Sequence, residues 1–352
     1  LIKTILTSAV DLLCMRQHVH FAFIFCFVSL LFLFSGCFTD STNDQTTGIL
    51  LNGNIFCDSL AEAIVLAEHQ DTIHLSNGIF SAGILINKTI HIKGIGSKET
   101  ILTSDDEDAD AVLSIEADMC VIENLSILST SSNMHGIKIN SVENQILNVS
   151  ISESFYGLHV TSGSHHNTYD QVKISNCSYG GLIQFSNQNS FVNCTISNAA
   201  YYGLFFTYAP NFTITYSDFS FCSDYGVYAD SGSDNSGIYH CTFFRNGAGL
   251  RLKSVEACRC FTSLFEENDK GLVLCCGASN NTVALNAFVD NMVQATDEIG
   301  NIWSVDNMGN FWSDYQTKHP SATSQDGVWN QSYEIFDMGV DLFPLVSSPL
   351  AE

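Results

Sequence analysis

The chain has 352 residues, 13 Lys plus Arg against 37 Asp plus Glu, and a formal net charge of −24. That balance repels nucleic acid and anionic membrane surfaces and favours solubility and the company of cations. The length would hold two ordinary domains, but an unbroken internal repeat argues for one long domain.

The first 37 residues are a different kind of text. Phe21 to Phe34 is an uninterrupted apolar run with Arg16 upstream, too short for a membrane span of about 20 residues and suited to a signal-peptide core. It closes on Phe34-Ser35-Gly36-Cys37, which resembles a bacterial or archaeal lipobox with phenylalanine in the usual leucine position. Lipid attachment at Cys37, a cleaved secretory signal and an uncleaved anchor are the three accounts. Met15-Arg16 makes a more natural start than Leu1, so residues 1–14 need not be translated. Residues 38–54 read as a polar tether and a first strand. Membrane contact is expected only through this N-terminal lipid or signal, and the location is extracytoplasmic, at the cell surface or in the periplasm.

Ser59-Leu60-Ala61-Glu62 reads as a capping box opening a short helix, with Leu60, Ala63, Ile64 and Ala67 on one face. This helix is expected to plug the N-terminal end of a solenoid, since open solenoid ends expose strand edges. From residue 55 to 300 the text is repetitive. A glycine followed by an apolar residue recurs at Gly136, Gly157, Gly181, Gly203, Gly226, Gly249 and Gly271, and a second column keeps the same step of about 22 at Ile127, Ile151, Ile174, Ile196, Phe219, Phe243, Phe265 and Phe288. Such a period is too short for packed helices and fits two or three strands of about 4–5 residues per coil. The fold class expected is all-β, a single-stranded parallel β-helix with a short capping helix. Each glycine suits a corner where φ is positive. After it the strand alternates: Leu158, Val160, Leu250 and Leu252 face in, and His159, Thr161, Arg251 and Lys253 face out. At Tyr179-Gly180-Gly181 there is one residue too many, and a bulge is expected to turn Gln184 out and Phe185 in. Residues 301–352 hold all three tryptophans, Trp303, Trp312 and Trp329, and are expected to cover the last coil as an aromatic cap.

Thirteen cysteines in an exported chain would suggest disulfides, yet Cys194 and Cys241 occupy an inward column, and Cys177 and Cys222 share one place in two coils, as small stacked residues do. Cys258, Cys260, Cys275 and Cys276 are crowded enough to bind metal or to pair, without a CxxC spacing. The acidic run Asp105-Asp106-Glu107-Asp108 reads as a solvated loop; carboxylates at this density can hold Ca²⁺, but the run lacks the spacing of a known Ca²⁺ loop. His165-His166 with Met134 and His135 carry the residue types of a copper site but none of its motifs.

The outward positions stack into a surface. One column runs Lys138, His159, Ile183, Phe205, Tyr228, Arg251 and Val273, and beside it run Thr161, Phe185, Thr207, Asp230, Lys253 and Cys275. Rings stack on the C–H faces of sugars, and charges hold hydroxyls or uronate carboxylates, so His159, Phe205, Tyr228 and Arg251 are the candidate ligand-binding residues. Arg245, Arg251 and Arg259 are the only arginines beyond Arg16. The plainer account pairs Arg251 and Lys253 with Asp230 and with Glu266 or Glu267. For catalysis, a lyase needs a base and a charge-neutralising cation beside a uronate, and Arg251, Lys253 and Asp230 are the candidates. Tyr156, Tyr202 and Tyr225 precede the glycines as an aromatic ladder that stabilises the corner without any ligand.

Two stretches carry a resemblance. Ser59 to Leu102, with Ala61-Glu62-Ala63-Ile64 and Ile90-His91-Ile92-Lys93-Gly94, resembles the start of pectin-lyase-like β-helix proteins, and Gly309-Asn310-Phe311-Trp312-Ser313-Asp314-Tyr315 with Asp341-Leu342-Phe343-Pro344-Leu345 resembles the closing motif of NosD-like proteins. The resemblance spans about residues 55–348. It implies a right-handed parallel β-helix outside the cytoplasm, associated with carbohydrate binding or sugar hydrolysis, in bacterial or archaeal surface proteins and in an accessory protein of copper-site assembly. Only Asp326-Gly327 remains of the acidic loop that relatives carry between the closing motifs, and the aspartate elements of polygalacturonases are absent beside Arg251-Leu252-Lys253. Three functions are compatible with these residues: an exported, surface-anchored binding or scaffold protein for carbohydrate or an envelope protein; a polysaccharide lyase, hydrolase or epimerase using the Arg251 face; and an accessory factor for copper-site assembly.

Overall fold

The computed structural model describes residues 48–350 apart from 107 and 132; the signal-like segment, the lipidation expected at Cys37 and most of the tether lie outside the described residues. The strand β1 (Ile49–Leu51) pairs antiparallel with β2 (Ile55–Cys57) on one side and β3 (Thr72–Leu75) on the other. Between β2 and β3 lies the helix α1 (Leu60–Leu66), which opens as a capping box. Ser59 Oγ accepts from the Glu62 N–H at 3.1 Å, and Glu62 Oε2 accepts from the Asp58 N–H at 2.7 Å. Leu60, Ala63, Ile64 and Ala67 are buried. At its far end Lys88 Nζ donates to the carbonyl oxygens of Ile64, Val65 and Ala67 at 3.0, 2.8 and 2.7 Å, satisfying groups a helix C-terminus leaves bare.

Beyond α1 the chain winds into a right-handed parallel β-helix. Each coil contributes three short strands, as in Tyr156–Val160, Thr168–Asp170 and Lys173–Ser175. The first of these faces is a sheet of eleven stacked strands; the other two run together in a second, larger sheet. Inward side chains pile on their own copies. Leu158, Leu204, Val227, Leu250 and Leu272 line the first face, and the column from Ile127 to Phe288 lines the third, all 2% exposed or less. The phenyl rings of that column stack at 5.3, 4.8 and 4.8 Å from Phe219 to Phe288. Each buried ring contributes about 1.5–3 kcal/mol by its removal from water.

The repeating glycines do something other than turn a corner. None of Gly136, Gly157, Gly180, Gly203, Gly226, Gly249 or Gly271 has positive φ; they lie within first-face strands. A Cβ on Gly136, Gly157 or Gly180 would stand 2.4, 2.5 or 2.7 Å from Cγ2 of Ile151, Ile174 or Ile196, and 2.3–2.6 Å from the carbonyl oxygen of the next glycine in the column. Glycine is therefore needed where the first face meets the third, so that the Ile/Phe column can fill the angle. This contact also explains why the two sequence columns keep step. The corners are turned instead by non-glycine residues with positive φ, among them His166, Gln171 and Asn176 in one coil and Gln188, Asn193 and Asn198 in the next. Asn bears this conformation better than most L-residues.

The expected bulge is absent. Tyr156 pairs with Tyr179 and Leu158 with Gly181, and Gly181 in turn pairs with Leu204. Gly180 is thus the column residue, and no residue is left over. Gln184 does face outward, in register with Thr207, but Phe185 is 53% exposed and stacks on Tyr208 at 5.0 Å instead of entering the core. Gly181 occupies an inward place without a side chain; Leu204 Cδ2 would stand 2.9 Å from a Cβ there. The outward residue of this coil is Leu182, paired with His159 and Phe205, and not Ile183, which is buried.

Buried polar ladders run along the turns. Asn246, Asn268 and Asn291 form one: each Oδ1 accepts the backbone N–H of the residue one coil before (Asn246 from Cys222, Asn268 from Asn246, Asn291 from Asn268) at 2.9–3.0 Å. A second passes through Ser217, Ser263, Asn286 and Asn310. It ends at the fully buried Asp341, which accepts from the Asn310 N–H at 2.7 Å, Trp312 Nε1 at 3.0 Å and the Phe343 N–H at 3.0 Å. Burial still pushes the Asp341 carboxyl above its ordinary range. Trp312 continues the phenylalanine stack, 4.4 Å from Phe288 and 4.1 Å from Tyr333.

Candidate functional site

Outward positions of the first face form three adjacent columns, because alternate residues of a strand point the same way and parallel pairing repeats them coil after coil. The first column carries Tyr156, Tyr179, Tyr202 and Tyr225 and then changes to Ala248 and Lys270. The second carries Lys138, His159, Leu182, Phe205, Tyr228 and Arg251. The third carries Gln184 and Thr207, then Asp230, Lys253 and Cys275.

The centre of this surface is an aromatic platform. Phe205 and Tyr228 stack at 4.8 Å with 13° between their planes, and Tyr202 meets Tyr225 at 5.3 Å. Arg251 lies over it, with Cζ 5.2 Å from the Tyr225 centroid and 5.3 Å from that of Tyr228, a cation–π arrangement. Its Nη1 donates to the Tyr225 hydroxyl. Among the described residues no carboxylate pairs with Arg251, and its Nε has no hydrogen-bond partner. The pairing expected with Glu266 or Glu267 goes elsewhere: Glu267 holds Arg245 at 2.7 Å.

Lys253 and Asp230 do meet. Lys253 Nζ lies 3.1 Å from Asp230 Oδ2, the Tyr228 hydroxyl donates to the same oxygen at 2.9 Å, and the Ser231 N–H donates to Oδ1 at 2.7 Å. Burial works to raise the Asp230 carboxyl, but these donors prevail and hold it below its ordinary range. Tyr228 goes the other way, pushed to about 12 by burial and by the adjacent carboxylate. A carboxylate so occupied is a weak general base. Of the three catalytic candidates, the structure joins Asp230 to Lys253 through Tyr228's neighbourhood and turns Arg251 toward Tyr225.

His159 sits two coils from Phe205, beyond Leu182. It is walled by His135 at 4.7 Å and Tyr156 at 5.3 Å, with Gln184 Nε2 3.1 Å from its Nε2. Burial, with His135 and Lys138 nearby, lowers its pKa to about 4, so it is a neutral ring at physiological pH. Asp110, from the loop carrying the acidic run, pairs with Lys138 and lies 3.5 Å from His135. Met134 is buried, and His165 Nδ1 accepts from the Asn187 N–H at 2.9 Å, so these copper-site residue types are engaged separately.

Below Arg251 toward the C-terminal end the face opens into a cavity of about 290 Å³, walled by Tyr225, Arg251, Lys270, Glu298, Phe336 and Asp337 among others. Sequence reasoning missed this cavity because Phe336–Asp337, which joins the sheet as its last strand beside Val293–Asp297, lies outside the repeat and carries no periodic signal.

Comparison with known proteins bears on this geometry. Residues 162–317 match the family model described as periplasmic copper-binding protein (NosD). No match is found among curated proteins. Among solved structures, the ORF18 protein of Geobacillus virus E2 is similar at a TM-score of 0.59 and 13% identity over 78% of this chain, which spans 63% of the viral one. The A-module of a mannuronan C-5 epimerase from Azotobacter vinelandii has a TM-score of 0.53 at 13% identity, over 69% of this chain and 85% of the module. The Dettilon tailspike protein also gives 0.53, at 15% identity over 72% of this chain and 55% of its own. At such identities the structural likeness speaks to the fold alone. The resemblance to NosD-like and pectin-lyase-like proteins holds: this is a parallel β-helix protein whose central coils match the NosD family.

Proposed function

We propose that the protein is an extracytoplasmic binding β-helix that holds an extended glycan along its first face, over the strip from Tyr202 to Lys253. The observation that carries this reading is Arg251: a guanidinium without a carboxylate partner among the described residues, laid on two tyrosine rings at the mouth of a cavity, in a chain of net charge −24. A ring platform beside a free cation suits sugar C–H faces and a uronate carboxylate. Two comparisons support it: NosD is described as periplasmic, and one similar fold is an epimerase of mannuronan, a polysaccharide. Among the described residues no helix is long and apolar enough to cross a membrane, and attachment through a lipid on Cys37 is part of the proposal.

A glycan array probed with the full chain, Arg251→Ala and Tyr228→Ala tests it. Binding to an acidic glycan that both substitutions weaken supports the strip; no binding by folded protein sinks it. The hydrogen-bonded Tyr228, Asp230 and Lys253 favour a second reading, a lyase or epimerase on the same strip. Incubating the bound uronan with the protein and monitoring unsaturated or epimerised product separates turnover from binding.

A further inference from the structure

Ten cysteines are described, and nine are buried. The thiols of the inward columns are held as neutral donors to backbone carbonyls, as Cys194 is to Val192 and Cys241 to Tyr239. Cys258 and Cys260 belong with them: both are buried in the hydrophobic core. Cys275 and Cys276 break the pattern. Cys275 pairs in register with Lys253, so it stands in an outward column, and Cys276 is exposed. Their two sulfurs and a carboxylate oxygen of Glu298, one coil on, all lie within 4.8 Å of one another.

We propose that Cys275, Cys276 and Glu298 form a binding site for a soft, thiol-seeking d¹⁰ cation. Thiolates select such ions over hard ones. With metal–sulfur bonds of about 2.3 Å, two sulfurs on one ion stand at most roughly 4.6 Å apart, which the observed spacing allows with small side-chain rotations. The third ligand is already oriented, because Glu298 Oε2 accepts the Cys276 N–H at 2.6 Å. Cys276 is in turn fixed by a φ of 57° and by Ser254 Oγ, which donates to its carbonyl at 2.5 Å. The surroundings match the charge of the filled site. Two thiolates, one carboxylate and a divalent ion sum to one negative charge, and Arg251 and Lys270 line the same cavity. Both cations stand beside Cys275 and Cys276 in that cavity wall, where they can offset the negative charge of the filled site. Binding displaces both thiol protons to solvent, so each ion taken up releases two protons. Ca²⁺ and Mg²⁺, which require six or more oxygen ligands between protein and water, are poorly served here.

The test uses the full chain under anaerobic, reducing conditions, with Cd²⁺ as the probe. Wild type is expected to take up one more equivalent than Cys275→Ser/Cys276→Ser, with a sulfur-to-metal charge-transfer band and with proton release; Glu298→Gln is expected to weaken that equivalent roughly tenfold or more. In wild type alone, Cd²⁺ is expected to protect Cys276 from alkylation, read by peptide mass spectrometry, which keeps the test valid even where a variant folds poorly. Equal uptake by wild type and the double variant, unprotected Cys276, or displacement of Cd²⁺ by equimolar Ca²⁺ overturns the proposal. Glycan binding is scored separately, so either reading can fail alone.

Discussion

Replacing Gly203 with alanine is the sharpest test of how the coils are held together. A Cβ there would stand 2.3 Å from the Gly226 carbonyl oxygen and 3.2 Å from Cys222 Sγ. The first contact is roughly an ångström inside van der Waals range, and the obstructing atom is backbone. That backbone is part of the next first-face strand, Tyr225–Ala229, paired to Tyr202–Thr207, so it moves only by disturbing the ladder. Overpacking of this kind costs about 2–3 kcal/mol, which lowers Tm by roughly 3–5 °C in a domain this size. Thermal unfolding monitored by far-ultraviolet circular dichroism measures it, and Gly203→Asn decides the cause. If glycine were present for a left-handed corner, Asn would be milder than Ala, because it tolerates that conformation. If glycine is present for space, Asn is worse. A Tm for Gly203→Ala within about 1 °C of wild type, or Asn milder than Ala, refutes the packing argument.

The buried polar groups give two further outcomes. Asn268→Ala removes the acceptor of the Asn246 N–H and Nδ2 and the donor to the Phe243 carbonyl; about 2–4 kcal/mol should be lost in urea unfolding, less with Asn268→Ser. His159 is held near pKa 4, below its unfolded value, by burial. Its neutral state therefore contributes stability that is present above about pH 6.5 and is lost as pH falls toward 4. Discounted for partial exposure, wild type should lose about 2 kcal/mol more than His159→Phe across that window, read as Tm against pH; parallel profiles for the two proteins would contradict it.

The solenoid was legible because its core is periodic: the column from Ile127 to Phe288 and the alternation after each glycine report burial directly, and every member is buried. Register at Gly180-Gly181 was misread because two adjacent glycines offer two alignments of equal composition. The signal that resolves them was present in Tyr156, Tyr202 and Tyr225, each one residue before its glycine; placing Tyr179 in that ladder selects Gly180, and the stacked pair Tyr156–Tyr179 at 5.0 Å shows the result. The purpose of the glycines was less accessible. A sequence shows that a side chain is missing, but it does not show whether the reason is a dihedral angle or a neighbouring carbonyl, since the neighbour lies a full coil away.

Partners on the outer surface were harder to read for the same reason. Position in the coil tells which way a side chain points, while its partner is chosen among several candidates on the coils above and below. Arg251 had Asp230, Glu266, Glu267 and the tyrosines within reach of such an argument. Asp230 is already engaged by Lys253, Tyr228 and Ser231, and Glu267 by Arg245. Arg251 is left with rings on one side and, on the other, the cavity that Cys275 also lines. It therefore stands at the junction of the two proposed sites, the glycan strip toward the N-terminal coils and the thiol site toward the last one. Substituting it should disturb both, whereas Tyr202 and Cys276 each belong to one side alone. The comparison of Arg251→Ala with Tyr202→Ala and Cys276→Ser thus separates a shared cation from two independent sites: loss of glycan and Cd²⁺ binding together in the first, and of only one in each of the others.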